Sequence, residues 1–168
     1  MIQNIMENRK PENTDLRNAI DVILKEGNTF LDENLEDLDI SAYKYNIKTA
    51  IDDLGLDEEL IEQLLEDYII QILKSNLSFY SYIEELQKSK SEGKTLDFED
   101  IRNLAHKNLG VARNLRIEDA QKLLSVLLKD DDLEYMQLCA KALEITAVKL
   151  NPLCAYETLN LIKVKNSL

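Results

Sequence analysis

One histidine, two cysteines, four glycines and two prolines are all that 168 residues contain of those types, and 20 Lys and Arg stand against 32 Asp and Glu. Each scarcity excludes a class of protein. Glycine and proline this sparse, beside abundant Leu, Ile, Glu, Asp and Lys, argue against a turn-rich β fold and predict an all-α protein. The net charge of −12 repels phosphate backbones and anionic lipid, so neither nucleic acid nor a membrane is an expected partner. Cys139 and Cys154 are too few for a disulfide framework and read as reduced core residues. A single histidine without HExxH-type spacing or a nearby cysteine cannot complete a zinc shell, so no metal or cofactor of its own is expected. No apolar run reaches bilayer length and the first fourteen residues lack a signal-peptide core, which points to the cytoplasm.

What the chain does contain is helical periodicity. Leu16, Ala19, Ile20, Ile23 and Leu24 fall at helical spacing, and Gly27 reads as the terminator of one short helix over residues 15–26. Residues 28–39 carry five carboxylates and no base, the composition of a solvated linker. The expected organisation is therefore an acidic N-terminal extension over residues 1–38, a helical bundle over 39–150 and a helical tail over 151–168. Within the bundle, Ser41 is the expected N-cap of a helix ending at Gly55. Asp57 starts a long helix whose stripe runs Ile61, Leu64, Leu65, Tyr68, Ile72, Phe79, Ile83 and Leu86, interrupted only by Asn76. Residues 87–95 read as a loop. Asp97 and Asp100 suit the first turn of a helix running to about Asn114. Ile117, Ala120, Leu124 and Leu127 mark the next helix. Residues 130–132 break it and cap a last helix, which Asn151 and Pro152 stop. Four antiparallel helices over roughly 57–150 make one bundle. Leu153, Tyr156, Leu159 and Ile162 add an amphipathic tail that packs on the bundle or on a partner.

The lone histidine lies in the third of these runs. At about 100° per residue, Ile101, Leu104, Ala105, Asn108, Val111, Ala112 and Leu115 share an arc roughly opposite His106. Arg102, Asn103, Leu109, Gly110 and Arg113 surround His106 on the other face, and Lys107 points about 100° away. The histidine is thus expected outside the core. Gly110, one turn beyond it, costs a helix roughly 1 kcal/mol against alanine, and the simplest reason to keep it is close approach to the imidazole.

Ala105, His106, Gly110, Ala112 and Leu115 fit, in register, the A-H-x-L-K-G-x-A-x-x-L helix of histidine phosphotransfer (HPt) domains. Together with the apolar pair Leu64-Leu65 and the aromatic Tyr68 upstream, the chain resembles that family over roughly residues 39–150. The resemblance implies an antiparallel four-helix bundle of HPt type in bacterial two-component phosphorelays. It also implies a carrier rather than a turnover enzyme, with His106 accepting a phosphoryl group and exchanging it with an aspartate. That aspartate belongs to the receiver domain of a response regulator or hybrid sensor histidine kinase, and Mg2+ is expected on that partner. Arg102, Asn103, Leu109, Gly110 and Arg113 become the receiver-docking or phosphoryl-neighbouring positions, and Glu99 or Asn103 a candidate to orient the ring.

Two positions depart from the pattern. Asn108 replaces the family's leucine and puts an amide in the buried arc, where it needs a partner, with Asn76 the candidate. Leu109 replaces a lysine, so Arg102 or Arg113 must supply positive charge. Two other readings stay open: a bundle that binds a receiver or kinase without carrying phosphate, and a plain structural bundle in which His106 is tied up internally or covered by the N-terminal segment.

Overall fold

The structure is a computed structural model that describes the backbone of residues 10–166 and the side chains of residues 17–162. It is all-helical: α1 (Lys10–Asn34), a 3-10 turn (Glu36–Leu38), α2 (Ile47–Leu54), α3 (Glu58–Ser91), α4 (Glu99–Asn114), α5 (Glu118–Lys129), α6 (Leu133–Leu150) and α7 (Pro152–Asn166). Among the described residues no helix is long and apolar enough to cross a membrane.

Local chemistry sets most of the boundaries. The Asp57 carboxylate accepts from the Leu60 amide at 2.8 Å and Asp132 from Tyr135 at 3.2 Å, each satisfying an amide of the first turn that has no partner within its own helix. Gly55, at φ 66°, closes α2. Helix α4 ends in a pair of bonds from the Ile117 amide to the Ala112 carbonyl (2.9 Å) and from Arg116 to Arg113 (3.1 Å). This Schellman arrangement places Arg116 at φ 63°, a position usually taken by glycine. The Arg116 guanidinium answers that cost in part by donating to the Arg113 carbonyl at 2.8 Å.

Helix α4 packs between α3 and α5, α6 packs on α5 and α3, and the four close into a ring. Its core holds Phe79, Ile69, Ile72, Ile101, Leu109, Leu123, Met136 and Leu143, all 2% exposed or less. Cross-links fix the directions of neighbours. Arg102, early in α4, reaches the Leu127 carbonyl late in α5, and Asn76 and Gln87 of α3 meet Ala140 and Gln137 of α6 in reversed order. Helix α7 lies on α3 and α6, so the C-terminal tail packs on the ring itself.

Three sequence-based expectations fail outside the ring. Gly27 does not end a helix; α1 continues to Asn34, and Gly27 is the point where α1 crosses α6, since a Cβ there would sit 2.6 Å from Ile145 Cγ2. The expected linker over 28–39 is correspondingly helical for half its length, and Leu31, Leu35 and Ile40 are within 1% of full burial in the same core cluster. Asp32 and Glu33 occupy the solvent side of α1, and Glu36, Asp37 and Asp39 lie exposed in and after the 3-10 turn, where Asp37 accepts from the Tyr135 hydroxyl. Ser41 caps nothing: residues 41–46 are non-helical, and Asn46 caps α2 by accepting from Thr49. The reason lies in Tyr43 and Tyr45, whose hydroxyls donate to the Arg116 and Leu115 carbonyls at 3.2 and 2.7 Å and hold the segment extended across the end of α4. Helix α3 also runs to Ser91, through the first five residues of the expected loop.

Candidate functional site

The site is built on the outer face of α4. Asp97 accepts from the Glu99 amide at 2.9 Å, and Glu99 and Asp100 lie in the first turn, where the helix dipole favours negative charge. From there the helix carries Asn103, His106, Lys107, Gly110 and Arg113 on its exposed side. His106 makes no hydrogen bond or ion pair with any described residue, and both Glu99 and Asn103 stand exposed without touching its ring nitrogens in this way. Gly110 is open: a Cβ built on it meets nothing within 4 Å. The fold therefore does not require a glycine there.

The buried arc is rotated from the expected one. Ile101, Ala105, Asn108, Leu109, Ala112 and Leu115 are buried, whereas Leu104 and Val111 are half-buried. The centre of burial thus lies about 50° further toward α5 than a stripe centred opposite His106, because α4 is covered by α5 as well as by α3. Two expected site residues are corrected by that rotation. Leu109 is 1% exposed and belongs to the core, so it offers no docking surface. Arg102 donates to the Leu127 carbonyl at 2.7 Å and lies 4.5 Å from the centre of the Phe98 ring. It ties α4 to α5 rather than standing ready beside the histidine.

Beneath the histidine, Asn108 is fully buried and fully partnered. Its amide nitrogen donates to the Leu104 carbonyl (3.0 Å) and to Ser75 Oγ (3.1 Å), and its oxygen accepts from Gln71 Nε2 at 3.0 Å. The partner is therefore the Gln71 and Ser75 pair, one turn apart on α3, and not Asn76. Asn76 instead donates to the Ala140 carbonyl at 2.8 Å and leaves its own oxygen unpaired in the core. The Asn108 network pins α4 to α3 directly under the exposed face, the kind of support that holds a reactive side chain's backbone still.

A further feature was not read from the sequence. Arg113 shares a surface groove with Lys122 and Lys129 of α5, alongside Gln121 and Ser125. Asp130 and Asp131 line the groove as well, and Lys122 donates to the Leu38 carbonyl at 3.0 Å, so this is a mixed-charge groove with a small cationic excess. Its signal was Lys122 and Lys129 seven residues apart, two turns on one face of α5. Among the described residues, no three His, Cys, Asp or Glu side chains group as a metal site. Compared with family models, with curated proteins and with solved structures, the chain matches none.

Proposed function

We propose that the protein is a cytoplasmic phosphorelay intermediate, an HPt-type antiparallel four-helix bundle that carries a phosphoryl group on His106. The observation that carries this reading is an imidazole on the exposed side of a ring helix, without a hydrogen-bond or ion-pair partner among the described residues, one turn from a glycine that the fold leaves open. Neutral imidazole near pH 7 has a nucleophilic nitrogen. In the proposed transfer that nitrogen attacks the phosphorus of an aspartyl phosphate on a receiver domain; the N–P bond forms, the acyl P–O bond breaks and the aspartate leaves as a carboxylate. The reverse reaction returns the group. Such transfers depend on positioning and charge stabilisation more than on further covalent chemistry, so the receiver, with its Mg2+, supplies what this chain lacks.

The chain's own contribution is approach and charge. Arg113 lies on the same face about 10 Å along the axis from His106 and opens the groove that holds Lys122 and Lys129. With Leu109 buried and Arg102 engaged, Arg113 takes the place of the family's lysine as the cation of this face, and Lys107 stands at its margin. The test is transfer of radiolabelled phosphate from a phosphorylated receiver domain to the wild type and to His106→Gln. Label on the wild type alone is expected; equal labelling of both would remove His106 from the mechanism.

The burial of Leu109 and the engagement of Arg102 favour one second reading: an adaptor that binds a receiver or kinase through this face without accepting phosphate. It requires that binding persists while no donor yields phosphohistidine.

A further inference from the structure

Away from His106, a cavity of about 720 Å³ opens where five helices and the segment before α2 meet. Leu24 of α1, Ile47 of α2, Leu65 of α3 and Leu150 of α6 supply apolar wall, and Tyr43 and Tyr45 close the side toward the end of α4. Two charged groups face into it. Asp119, near the start of α5, is only 4% exposed, and its sole hydrogen bond to another described residue comes from the Ala120 amide at 2.7 Å. Lys149 of α6 is half-buried and donates to the Ser41 carbonyl at 2.8 Å, its one hydrogen bond among the described residues, out of three donors. The two groups line the same space yet form no ion pair within 4 Å.

That arrangement is costly. A buried carboxylate is normally paired, because removing it from water without a partner disfavours the charged form. Burial pushes the Asp119 carboxyl up to about 6, an effect that the Ala120 amide and the more distant Lys149 only partly oppose. Asp119 thus lines the cavity beside Lys149, with no cation within ion-pair distance of its carboxylate among the described residues. A cavity of this volume falls within the range of small-molecule sites, in which a few polar groups converge within apolar walls.

We propose that this cavity binds a small zwitterion with an apolar side group, of amino-acid or dipeptide size, its ammonium held by Asp119 and its carboxylate by Lys149. The ligand completes the interrupted pair, and its side group lies against Leu24, Ile47, Leu65 and Leu150. Glu62, Glu66 and Lys44 stand at the exposed rim and contribute little to discrimination, since solvent screens them. The inference is independent of the role of His106.

The full chain is titrated with L-leucine and with L-leucyl-L-leucine, and with two analogues that keep one charge each, L-leucinamide and 4-methylpentanoate, by calorimetry and by NMR of the Tyr43, Tyr45 and Thr146 resonances. At least one zwitterion is expected to bind saturably and to shift those resonances, with both one-charge analogues at least about tenfold weaker. Asp119→Asn and Lys149→Met, checked for helicity by circular dichroism, are each expected to weaken that binding by a similar factor. Should a variant not fold, the analogue comparison on the wild type decides. Absence of saturable binding by either zwitterion at millimolar concentration overturns the proposal. So does an analogue binding as well as its parent, or undiminished binding by both folded variants.

Discussion

Gly110 and Leu109, adjacent in sequence, show how differently neighbouring residues of one helix are constrained. Leu109 is packed to 1% exposure, whereas a side chain added at Gly110 would meet only open space. Replacing an exposed glycine inside a helix by alanine lowers the entropy lost on folding and ordinarily stabilises by roughly 0.5–1 kcal/mol. Gly110→Ala is therefore expected to raise the urea midpoint while slowing phosphoryl transfer at least severalfold, because the methyl group intrudes where a partner must come close. A variant that gains stability and transfers at the wild-type rate would show that the glycine has no part in docking. The outward direction of His106 was legible from helical phase alone. The rotation of the core toward Leu109 was not, because a 3.6-residue pattern reports one apolar stripe and cannot say that a second neighbouring helix covers its flank. The same limit hid Asn108's partners: Gln71 and Ser75 lie more than thirty residues upstream, and nothing local to α4 selects them over Asn76.

Elements that rest on their own caps were read closely, and elements that rest on tertiary contacts were not. Helices α3, α5 and α6 begin within a residue of the position expected from Asp57, Ile117 and residues 130–132; for α3 and α6 the reason is a carboxylate that accepts from its own first turn, whereas α5 starts at Ile117 without a side-chain cap. Helix α1 is the opposite case. Its buried positions Ile20, Gly27 and Leu31, with Leu35 just beyond its end, recur at steps of four or seven, but the glycine looks like a terminator until α6 is laid across it. At 2.6 Å from Ile145 Cγ2, an alanine methyl at position 27 forces a β-branched side chain with restricted χ1 freedom to move. Overpacking of this kind costs about 1–3 kcal/mol, set against a propensity gain of roughly 1 kcal/mol. Gly27→Ala is accordingly expected to destabilise by about 1 kcal/mol in wild-type background and to become neutral or stabilising when Ile145→Ala has vacated the contact. Urea titration of the four proteins of that double-mutant cycle measures the coupling. Additive effects would mean that α1 and α6 do not meet as closely as the crossing requires.

At the scale of the whole molecule, the N-terminal helix and the ring share one apolar interior. Leu31 of α1, with Leu35 and Ile40 of the segment that follows it, belongs to the cluster that also contains Phe79, Leu109 and Met136, and Lys141 of α6 lies 4.5 Å from the centre of the Phe30 ring of α1. Fully burying an aliphatic side chain contributes about 1.5–3 kcal/mol. Three such side chains therefore contribute an amount comparable to the roughly 5–15 kcal/mol that holds a typical domain folded. The helix is thus expected to unfold with the ring instead of detaching from it first. Native-state hydrogen exchange distinguishes the two: amides of the last two turns of α1 should exchange with an opening free energy close to that of the central turns of α6, the pattern of one cooperative unit. Exchange through a much cheaper opening in α1 would instead make residues up to about 38 a separable arm. The cavity between Asp119 and Lys149 would then lose its Leu24 wall each time that arm opened, so the same experiment decides whether the cavity is permanent or intermittent.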